Sequence, residues 1–600
     1  MRVSDITTPK IKRVQLVDRI GSEPNIFGTV HITSSHLIFK ADEGGKEIWV
    51  ANSLIGAVEK SSISAAGSRL MIKCKHFLTL SLLIAKDKEC QNLYESLIRC
   101  SKLVNISDSF AFVCKDLGEI KRPDSSGNWW RLDWYKEFAR QGVSDAWKES
   151  NFNEGYQYCD TYPERLWIPR NASTQLLIGS CRFRSRARLP VLTYFHKSNS
   201  ATITRCSQPL SGFSARCVED ENLMELISEA NPSNSPLYLV DTRPRVNAMV
   251  NKVQGKGFED VRNYTKLQFH FFDIENIHVM RNSLIRLLDA CQKPLSVTDF
   301  LKSVDASGWL KHLKSLLECG KFIAESLWRG ISCVIHCSDG WDRTSQTVSL
   351  AQLILDPYYR TVQGFQVLID KDWLGFGFKF DDRCAHTANG DESAKEVSPI
   401  FTQFLDVVWQ IMRKKPHDFE FNERFLLEIN EHAYSCAYGT LIGNCDKDRK
   451  DLQTMKRTRS LWSYMDSRIN DYINPFYRPC NSFLADIDVR SCSFVVWTAM
   501  YNRFDTGIQP REYFLDVALT MKSHMSHMEE LVDNPQLLEE NGSSIAVKWQ
   551  SLLSADECTS CLREFMSRFD KRVHCVKCGK IYCHRCFTSD NQRICANCAK

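Results

Sequence analysis

The chain carries Ile335-His336-Cys337-Ser338-Asp339-Gly340-Trp341-Asp342-Arg343-Thr344, in which five residues separate a cysteine from an arginine. An apolar run at 331–335 predicts a strand, and a helical pattern follows from Arg343 to Leu355 and stops at Asp356-Pro357. A short loop between a strand and a helix N-terminus presents backbone N–H groups and the helix dipole to an anion. This stretch therefore predicts an α/β domain with an anion-binding loop.

Cys337 and Arg343 are the residues of this loop that can carry chemistry. The N–H groups of the loop would stabilise a thiolate at Cys337, and a thiolate is a nucleophile. The planar guanidinium group of Arg343 can hold two phosphoryl oxygens. The pair favours a cysteine-dependent phosphatase. The alternative, a buried structural cysteine beside a surface arginine, leaves the composition of the loop unexplained.

Two carboxylates, Asp339 and Asp342, distinguish this loop from those of tyrosine phosphatases, which are rich in small and neutral residues. A carboxylate beside a phosphate is unfavourable unless one delivers a proton to the leaving oxygen. Either residue could instead accept hydrogen bonds from the amides of the loop. Spacing alone does not choose between them.

Length and composition indicate a multidomain globular protein. The 600 residues predict about three or four domains, and a hydrophobic fraction of 43% supplies large cores. No apolar stretch approaches the ~18 residues of a membrane span, and the N-terminus lacks the apolar region of a signal peptide. We therefore expect a cytoplasmic protein or one that is peripheral to a membrane.

The cysteines fall into two groups. Of the 25, seventeen are scattered between Cys74 and Cys492, as reduced thiols of a cytosolic chain would be. The other eight form four Cys-x2-Cys pairs: Cys558 and Cys561, Cys575 and Cys578, Cys583 and Cys586, Cys595 and Cys598. They predict two tetrahedral four-sulphur Zn²⁺ sites that hold this segment folded. Zinc-bound thiolates would bring the formal net charge of +5 close to neutral, so charge gives no reason to expect nucleic acid.

The order of patterns along the chain predicts several domains. Short strand-like runs, closed by a helical stripe of Leu93, Leu97 and Ile98, predict a partly closed barrel of pleckstrin-homology type. Strand-like and helix-like segments then alternate, as in α/β domains. The predicted order is a barrel at 1–103, a linker at 104–128, an α/β catalytic domain at 129–510, a helical linker at 511–553 and a small two-zinc module at 554–600.

Four arginines alternate along one short segment, at Arg182, Arg184, Arg186 and Arg188. On a strand, a period of two would place all four guanidinium groups on one face. They would then contact an anionic membrane or form salt bridges with acidic residues of the same domain.

The stretch around Cys337 resembles the active-site signature of the myotubularin-related inositol-lipid phosphatases. The resemblance covers nearly the whole chain, and its N-terminal module is similar to the GRAM domain of that family. Thr8-Pro9-Lys10 and residues 378–384 are most similar to the subgroup of myotubularin-related proteins 6, 7 and 8. Further similar segments are 183–192, 241–244, 247–248, 251–252, 276–281, 358–361, 364–365 and 373–374.

The resemblance implies removal of the 3-phosphate from phosphatidylinositol 3-phosphate and phosphatidylinositol 3,5-bisphosphate. Cys337 matches the nucleophile that becomes a phosphocysteine, Arg343 the phosphate clamp and Asp342 the general acid. The residues that would hold the phosphate or the headgroup are Asn251, Asn276, Ile277, Ser338, Asp339, Gly340, Trp341, Asp342, Arg343, Thr344 and Lys379. Lys379 stands where many members carry an arginine, so the charge is kept and the planar fork is lost. Because Cys337 and Arg343 are both present, we expect an active enzyme that needs no catalytic cofactor.

The C-terminal module resembles a FYVE zinc finger, in which the first cysteine pair shares a metal with the third, and the second with the fourth. Its lipid-binding signature is only partly present, which favours a structural role over strong binding of phosphatidylinositol 3-phosphate.

The resemblance also implies the partners and the location of the protein. Its ligands would be phosphoinositide membrane lipids, and it would lie on endosomal membranes. It would form a homodimer or a heterodimer with an inactive paralogue such as myotubularin-related protein 9. Two alternative functions are considered. The first is that of a protein-tyrosine or dual-specificity phosphatase, and the second is that of a lipid-binding scaffold with a silent catalytic domain.

Overall fold

The computed structural model of the chain describes residues 6–18, 24–113, 129–212, 215–291, 293, 297–387, 394–479, 483–504, 525, 550, 555, 557–565, 572–586 and 594–598. The chain divides into two compact units, Met1–Phe514 and Leu515–Lys600. Apart from Met525 and Gln550, the helical linker predicted at 511–553 lies outside the described residues. The predicted domain limits stay predictions.

A seven-stranded antiparallel sheet begins the first unit. Its strands are β1 Lys10–Leu16, β2 Ile26–Ile32, β3 His36–Ala41, β4 Glu47–Ala51, β5 Ile55–Lys60, β6 Ser68–Cys74 and β7 Thr79–Ile84, in the order β4-β3-β2-β1-β7-β6-β5. Alternate side chains are buried along these strands, as in a sheet with one face in a core. Helix α1, Asp87–Ser101, buries Leu93 and Leu97. These elements confirm the predicted β-sheet module closed by a helix.

A five-stranded sheet positions the site of the larger domain. A separate ribbon pairs β8 Trp147–Ser150 with β9 Leu166–Pro169, and the main sheet contains β10 Val191–His196, β11 Ala201–Ser207, β12 Leu237–Asp241, β13 Leu267–Phe271 and β14 Cys333–Cys337. The order is β10-β11-β14-β12-β13, with β14 parallel to both neighbours. Ser207 pairs with Cys337, and Asp241 pairs with His336. Residues that follow these three strands therefore meet at one edge of the sheet.

Helices make up much of the larger domain. Their bounds are α2 Phe110–Val113, α3 Trp134–Gln141, α4 Thr174–Phe183, α5 Val218–Glu229, α6 Arg245–Val253, α7 Ile277–Cys291, α8 Val297–Ser307, α9 Trp309–Trp328, α10 Arg343–Leu355, α11 Val362–Ile369, α12 Phe380–Arg383, α13 Ile400–Lys414, α14 Glu423–Ser435, α15 Asp446–Asp451, α16 Thr454–Arg457, α17 Leu461–Asp466 and α18 Thr498–Tyr501. A π-helical segment, Asp370–Gly375, follows α11. The domain is α/β, as predicted.

Helix α10 lies in the centre of this domain, and every one of its residues is buried. It packs against α9 and α13. Its polar side chains find partners there: the Gln346 amide donates to Gln403 at 3.0 Å, and the Ser349 hydroxyl accepts from the Trp373 indole at 3.0 Å. The helix that follows the nucleophile loop is thus fixed on all sides, and its bounds are those predicted from the sequence.

The N-terminal sheet module and the larger domain share one hydrophobic core within the first unit. Polar contacts also join them, since the Lys75 ammonium donates to the Ala385 carbonyl at 2.6 Å and the Ser53 hydroxyl donates to the Ser435 carbonyl. Ala385 comes two residues after α12. Among the described residues, no helix is both long and apolar enough to cross a membrane.

Candidate active site

Cys337 ends the central strand β14 and is almost fully buried, with 3% of its surface exposed. The Gly340 N–H donates to its sulphur at 3.2 Å. Arg343 begins α10 and donates to the Ile274 carbonyl at 3.1 Å and to the Ser338 hydroxyl at 3.2 Å. The structure therefore brings the predicted nucleophile and the predicted phosphate clamp together at the N-terminus of one helix.

Two buried side chains and one backbone N–H hold the backbone of this loop from outside. The Gly340 carbonyl accepts hydrogen bonds from Arg188 at 2.9 Å and from Arg205 at 3.0 Å, and the Ser338 carbonyl accepts from the Gln208 N–H at 3.0 Å. Because a trans peptide directs its N–H opposite to its carbonyl, these contacts turn loop N–H groups away from the arginines. Fixed N–H groups of this kind are suited to an anion.

The predicted strand of alternating arginines is wrong. Arg182 belongs to helix α4, and Arg186 lies in a 3-10 turn with a left-handed φ of 57°. Arg184 and Arg188 are fully buried, so neither can contact a membrane. A period of two cannot distinguish a strand from a helix end followed by a tight turn, because only the tertiary packing decides which of these forms.

A chain of buried charges leads from Arg184 to the nucleophile. Arg184 forms ion pairs with Asp220 at 2.6 Å and with Glu259 at 2.5 Å, and the second Glu259 oxygen lies 3.2 Å from the His336 ring. The other nitrogen of His336 is 3.1 Å from the Cys337 carbonyl. Burial opposes protonation of His336, but the neighbouring carboxylates outweigh it and raise the pKa of the ring. Sequence reasoning missed this chain, because its members are far apart in sequence.

The two loop carboxylates have different partners. Arg383 donates to both oxygens of Asp342, at 2.8 Å and 3.0 Å, and this arginine is itself buried and paired with Glu396 at 2.9 Å. Asp339 is half-buried and accepts from the Ser185 hydroxyl at 2.8 Å. Arg383 is a further residue that sequence reasoning missed as a member of the site, although it lies in a segment that carries the family resemblance.

Lys379 and Trp341 lie together in the site. The Lys379 ammonium sits 4.8 Å from the centre of the Trp341 ring and 3.2 Å from Asp382. The lysine is partly exposed, while Trp341 and Thr344 are buried. The structure thus places Lys379 beside the nucleophile loop.

The carboxyl end of β12 contributes Arg243, which is held by a bidentate pair with Asp241 and donates to the Gln208 side chain. Asn251, on α6, also donates to Gln208, at 3.4 Å. Gln208 follows β11 and bonds the nucleophile loop through its backbone. Asn251 is therefore connected to the loop through one residue, Gln208.

Asn276 and Ile277 form the start of helix α7. The Asn276 side-chain oxygen accepts from the N–H groups of His278 and Val279 at 2.9 Å and 3.1 Å, so it caps the helix. A contact from this side chain to a ligand would then come from its NH2 group. The Ile277 carbonyl accepts from the Ser398 hydroxyl at 2.8 Å, while the Ile277 N–H belongs to the first turn of α7 and has no acceptor within the helix.

The eight C-terminal cysteines form two clusters in the second unit. They group as Cys558, Cys561, Cys583 and Cys586, and as Cys575, Cys578, Cys595 and Cys598. This is the first-with-third and second-with-fourth grouping implied by the family resemblance. The strands β15 Arg572–His574 and β16 Ile581–Cys583 pair antiparallel in the same unit.

Sulphur positions in the first cluster fit a tetrahedral metal. The Cys558–Cys586 and Cys561–Cys583 distances are both 3.7 Å, and Cys583–Cys586 is 3.6 Å. Zn–S bonds of about 2.3 Å give tetrahedral edges of about 3.8 Å, whereas a disulfide would need about 2.0 Å. Burial raises the pKa of Cys558 and Cys575, but backbone N–H groups outweigh it and lower each to about 6, which favours the thiolates that a metal binds.

Comparison with protein families identifies two regions of the first unit. Residues 109–450 match the myotubularin-like phosphatase domain, and residues 10–101 match the GRAM domain of MTMR6-9. Neither match includes the cysteine clusters.

Similar curated proteins cover most or all of the chain. Phosphatidylinositol-3,5-bisphosphate 3-phosphatase MTMR6 of Caenorhabditis elegans is 51% identical, over 100% of both chains. Phosphatidylinositol-3-phosphate phosphatase MTMR7 of Homo sapiens is 42% identical over 87% of this chain and 80% of its own length. Phosphatidylinositol-3,5-bisphosphate 3-phosphatase MTMR8 of Gallus gallus is 44% identical over 89% of this chain and 85% of its own length. These matches confirm the predicted subgroup.

Proposed function

Because this chain belongs to the family of myotubularin-like phosphatases, we propose that it removes the 3-phosphate from phosphatidylinositol 3-phosphate and phosphatidylinositol 3,5-bisphosphate. The names of the relatives, which are phosphatases of one or the other lipid, support these substrates. The hydrogen bond from the Gly340 N–H to the Cys337 sulphur, at the carboxyl end of the central strand, is the observation that supports the covalent mechanism.

In the first step, the Cys337 thiolate attacks phosphorus and the bond from phosphorus to the inositol oxygen breaks. Arg343 and the loop N–H groups hold the other phosphoryl oxygens. To reach them, Arg343 would exchange its contacts with Ile274 and Ser338 for the substrate. Water then attacks the phosphocysteine, the P–S bond breaks, and the thiolate returns.

Asp342 is our proposed proton donor to the inositol oxygen. In the ligand-free protein both of its oxygens accept hydrogen bonds from Arg383, at 2.8 Å and 3.0 Å. A phosphate dianion that enters the loop would compete with Asp342 for the hydrogen bonds of the same arginine. Asp339 is the alternative donor, since it accepts a hydrogen bond from the neutral Ser185 hydroxyl and not from an arginine.

The finer features of the family are also part of our proposal. We propose that the cysteine clusters hold two structural Zn²⁺ ions in a FYVE-like finger, a role supported by the sulphur spacing in the first cluster. We further propose that Lys379, Asn251 and Asn276 contact the headgroup. We also propose that the protein dimerises, either with a second copy of itself or with an inactive paralogue such as myotubularin-related protein 9. Its proposed location is peripheral, on endosomal membranes.

The proposal is tested by turnover of a panel of mono- and bisphosphorylated inositol lipids beside a phosphotyrosine peptide. We expect release of phosphate from the two 3-phosphorylated lipids only. Hydrolysis of the peptide in preference to the lipids would make the protein a tyrosine phosphatase, and no hydrolysis at all would make it a scaffold.

The covalent mechanism is tested with the variant Cys337→Ser. Serine stays protonated and is a poor nucleophile, while the loop N–H groups and Arg343 are kept. We expect loss of turnover with lipid binding largely retained, as measured by phosphate release and by binding of a soluble short-chain lipid. Residual turnover above about a tenth of wild type would contradict a covalent mechanism.

A further inference from the structure

Gln208 is a fully buried glutamine that lies between the nucleophile loop and helix α6. It follows strand β11, and its N–H donates to the Ser338 carbonyl at 3.0 Å. Its side-chain oxygen accepts hydrogen bonds from the Arg243 guanidinium group and from the Asn251 amide, the second at 3.4 Å. Arg243 follows β12, and β14 with Cys337 lies between β11 and β12. The Gln208 side chain therefore spans the end of the strand that carries the nucleophile.

The orientation of the Gln208 amide is fixed by its neighbours. A guanidinium group has no acceptor, so only the oxygen of the amide can face Arg243. The amide nitrogen is buried and has no acceptor in the part of the chain that the structure describes. Because an unpaired buried donor is unfavourable, stability alone does not explain a glutamine at this position.

Arg243, which holds the oxygen of this amide, is itself fixed. Its guanidinium group forms a bidentate pair with Asp241, at 2.9 Å and 2.7 Å, and donates to the Gly257 carbonyl at 2.8 Å. All of these groups are buried. The Gln208 oxygen therefore stays in place and offers Asn251 a fixed acceptor.

We propose that Gln208 is a positioning residue, which sets the Asn251 side chain relative to Cys337 so that the inositol headgroup and the scissile phosphate are held in register. This inference rests on the proposed function, in which Asn251 contacts the headgroup. A substrate that is held by groups on two separate elements reacts well only when those groups are correctly placed relative to each other. Gln208 supplies this placement, because its backbone bonds the nucleophile loop and its side chain bonds Asn251.

The test uses the full-length chain with Gln208→Met, with Asn251→Ala and with both changes. Methionine keeps the backbone N–H and a similar volume, and it removes the acceptor for Asn251. Each protein is assayed on water-soluble dibutanoyl phosphatidylinositol 3-phosphate and on p-nitrophenyl phosphate, which has no inositol. We expect each single variant to lower the ratio of kcat/KM on the lipid to kcat/KM on p-nitrophenyl phosphate by about tenfold, mainly through KM for the lipid.

The double variant carries the sharpest expectation. Because Gln208 acts through Asn251, the second change has nothing further to remove, and the ratio should again fall by about tenfold. If the two residues acted independently, the losses would multiply to about a hundredfold.

Gln410→Met is the matched control. Gln410 is also fully buried, and its amide donates to Asp406 at 3.1 Å and to the Val495 carbonyl at 2.7 Å, neither of which belongs to the candidate site. This change should lower the Tm and leave the ratio of the two substrates as in wild type. If Gln208→Met does not fold, Gln208→Asn takes its place, since an amide that is shorter by one methylene cannot reach both of its partners.

Two results would overturn the inference. The first is an unchanged ratio in Gln208→Met, which includes equal losses on both substrates. The second is a ratio about a hundredfold below wild type in the double variant. If the wild-type chain neither bound nor hydrolysed the soluble lipid, the proposed function itself would fail, and this inference would fail with it.

Discussion

At the residue scale, the peptide group after Gly340 shows how the loop is prepared for an anion. Two buried guanidinium groups, from Arg188 and Arg205, bind its carbonyl oxygen. The N–H of Trp341 belongs to the same planar peptide and must point the opposite way. The arginines thus orient a donor without touching the ligand themselves.

Gly340→Ala tests this arrangement. Gly340 has φ +78°, and an added Cβ would lie 2.5 Å from the Cys206 carbonyl oxygen. We expect roughly a hundredfold loss of kcat, because the peptide must move, together with a lower Tm. Gly44→Ala is the control, since Gly44 has φ +77° and open space around it. It should cost only the left-handed backbone strain of about 1–2 kcal/mol and leave kcat unchanged. Equal effects of the two substitutions on kcat would contradict our account of the loop.

The proton donor is tested by the leaving group. An inositol oxygen needs a proton as it departs, whereas p-nitrophenolate does not. We expect Asp342→Asn to slow lipid turnover by ~10²-fold or more and to slow p-nitrophenyl phosphate much less. Asp339→Asn should affect both substrates about equally, because it disturbs the contact of Asp339 with Ser185. Measurement of kcat for both variants on both substrates decides between the carboxylates, and the reverse pattern would transfer the role to Asp339.

At the scale of single elements, burial separates helices that look alike in sequence. Helices α6 and α10 both carry Val and small polar residues, yet α10 is buried throughout and α6 exposes its valines. The reason is position, since α10 follows the central strand into the core, while α6 follows β12 toward the edge of the site. Periodicity records which side chains share a face, and the surrounding elements decide whether that face is covered.

The cysteine module gives the prediction at this scale. Cys575→Ser with Cys578→Ser, or treatment with a zinc chelator, should unfold residues 558–598, because the thiolates of four short turns are its main internal contacts. Turnover of soluble lipid should continue, since the catalytic residues belong to the other compact unit. Circular dichroism of the isolated segment with and without zinc provides the readout. A segment that stays folded in metal-free buffer would refute the two-zinc proposal.

At the scale of the whole molecule, the N-terminal sheet module is part of the catalytic unit. Its apolar residues belong to the same core as those of the phosphatase domain, and the Phe77 and Tyr501 rings lie 5.4 Å apart across the junction. Lys75 bonds the Ala385 carbonyl, close to the helix that carries Arg383. The module therefore supports the segment that pairs with Asp342.

Two truncations test this shared core. Removal of residues 1–103 should expose apolar surface of the phosphatase domain and give an aggregated, inactive protein. Removal of 515–600 follows the division between the compact units and should leave turnover of soluble lipid within about twofold of wild type. Both are measured by size-exclusion chromatography and phosphate release. An active, monodisperse protein without residues 1–103 would show that the two domains fold independently.

The sequence by itself determined the nucleophile loop, the strand before it, the bounds of α10 and the four cysteine pairs. These features are local: a strand, a turn and a helix follow from neighbouring residues, and metal ligands from their spacing. Only the tertiary structure decided the fates of Arg184 and Arg188, the pairing of Asp342 with Arg383, and the chain from Glu259 to His336. The ion pairs among these interactions join residues 36 to 77 positions apart. A charged side chain is buried only where the fold brings it an opposite charge or, as at Arg188, carbonyl oxygens that accept its hydrogen bonds.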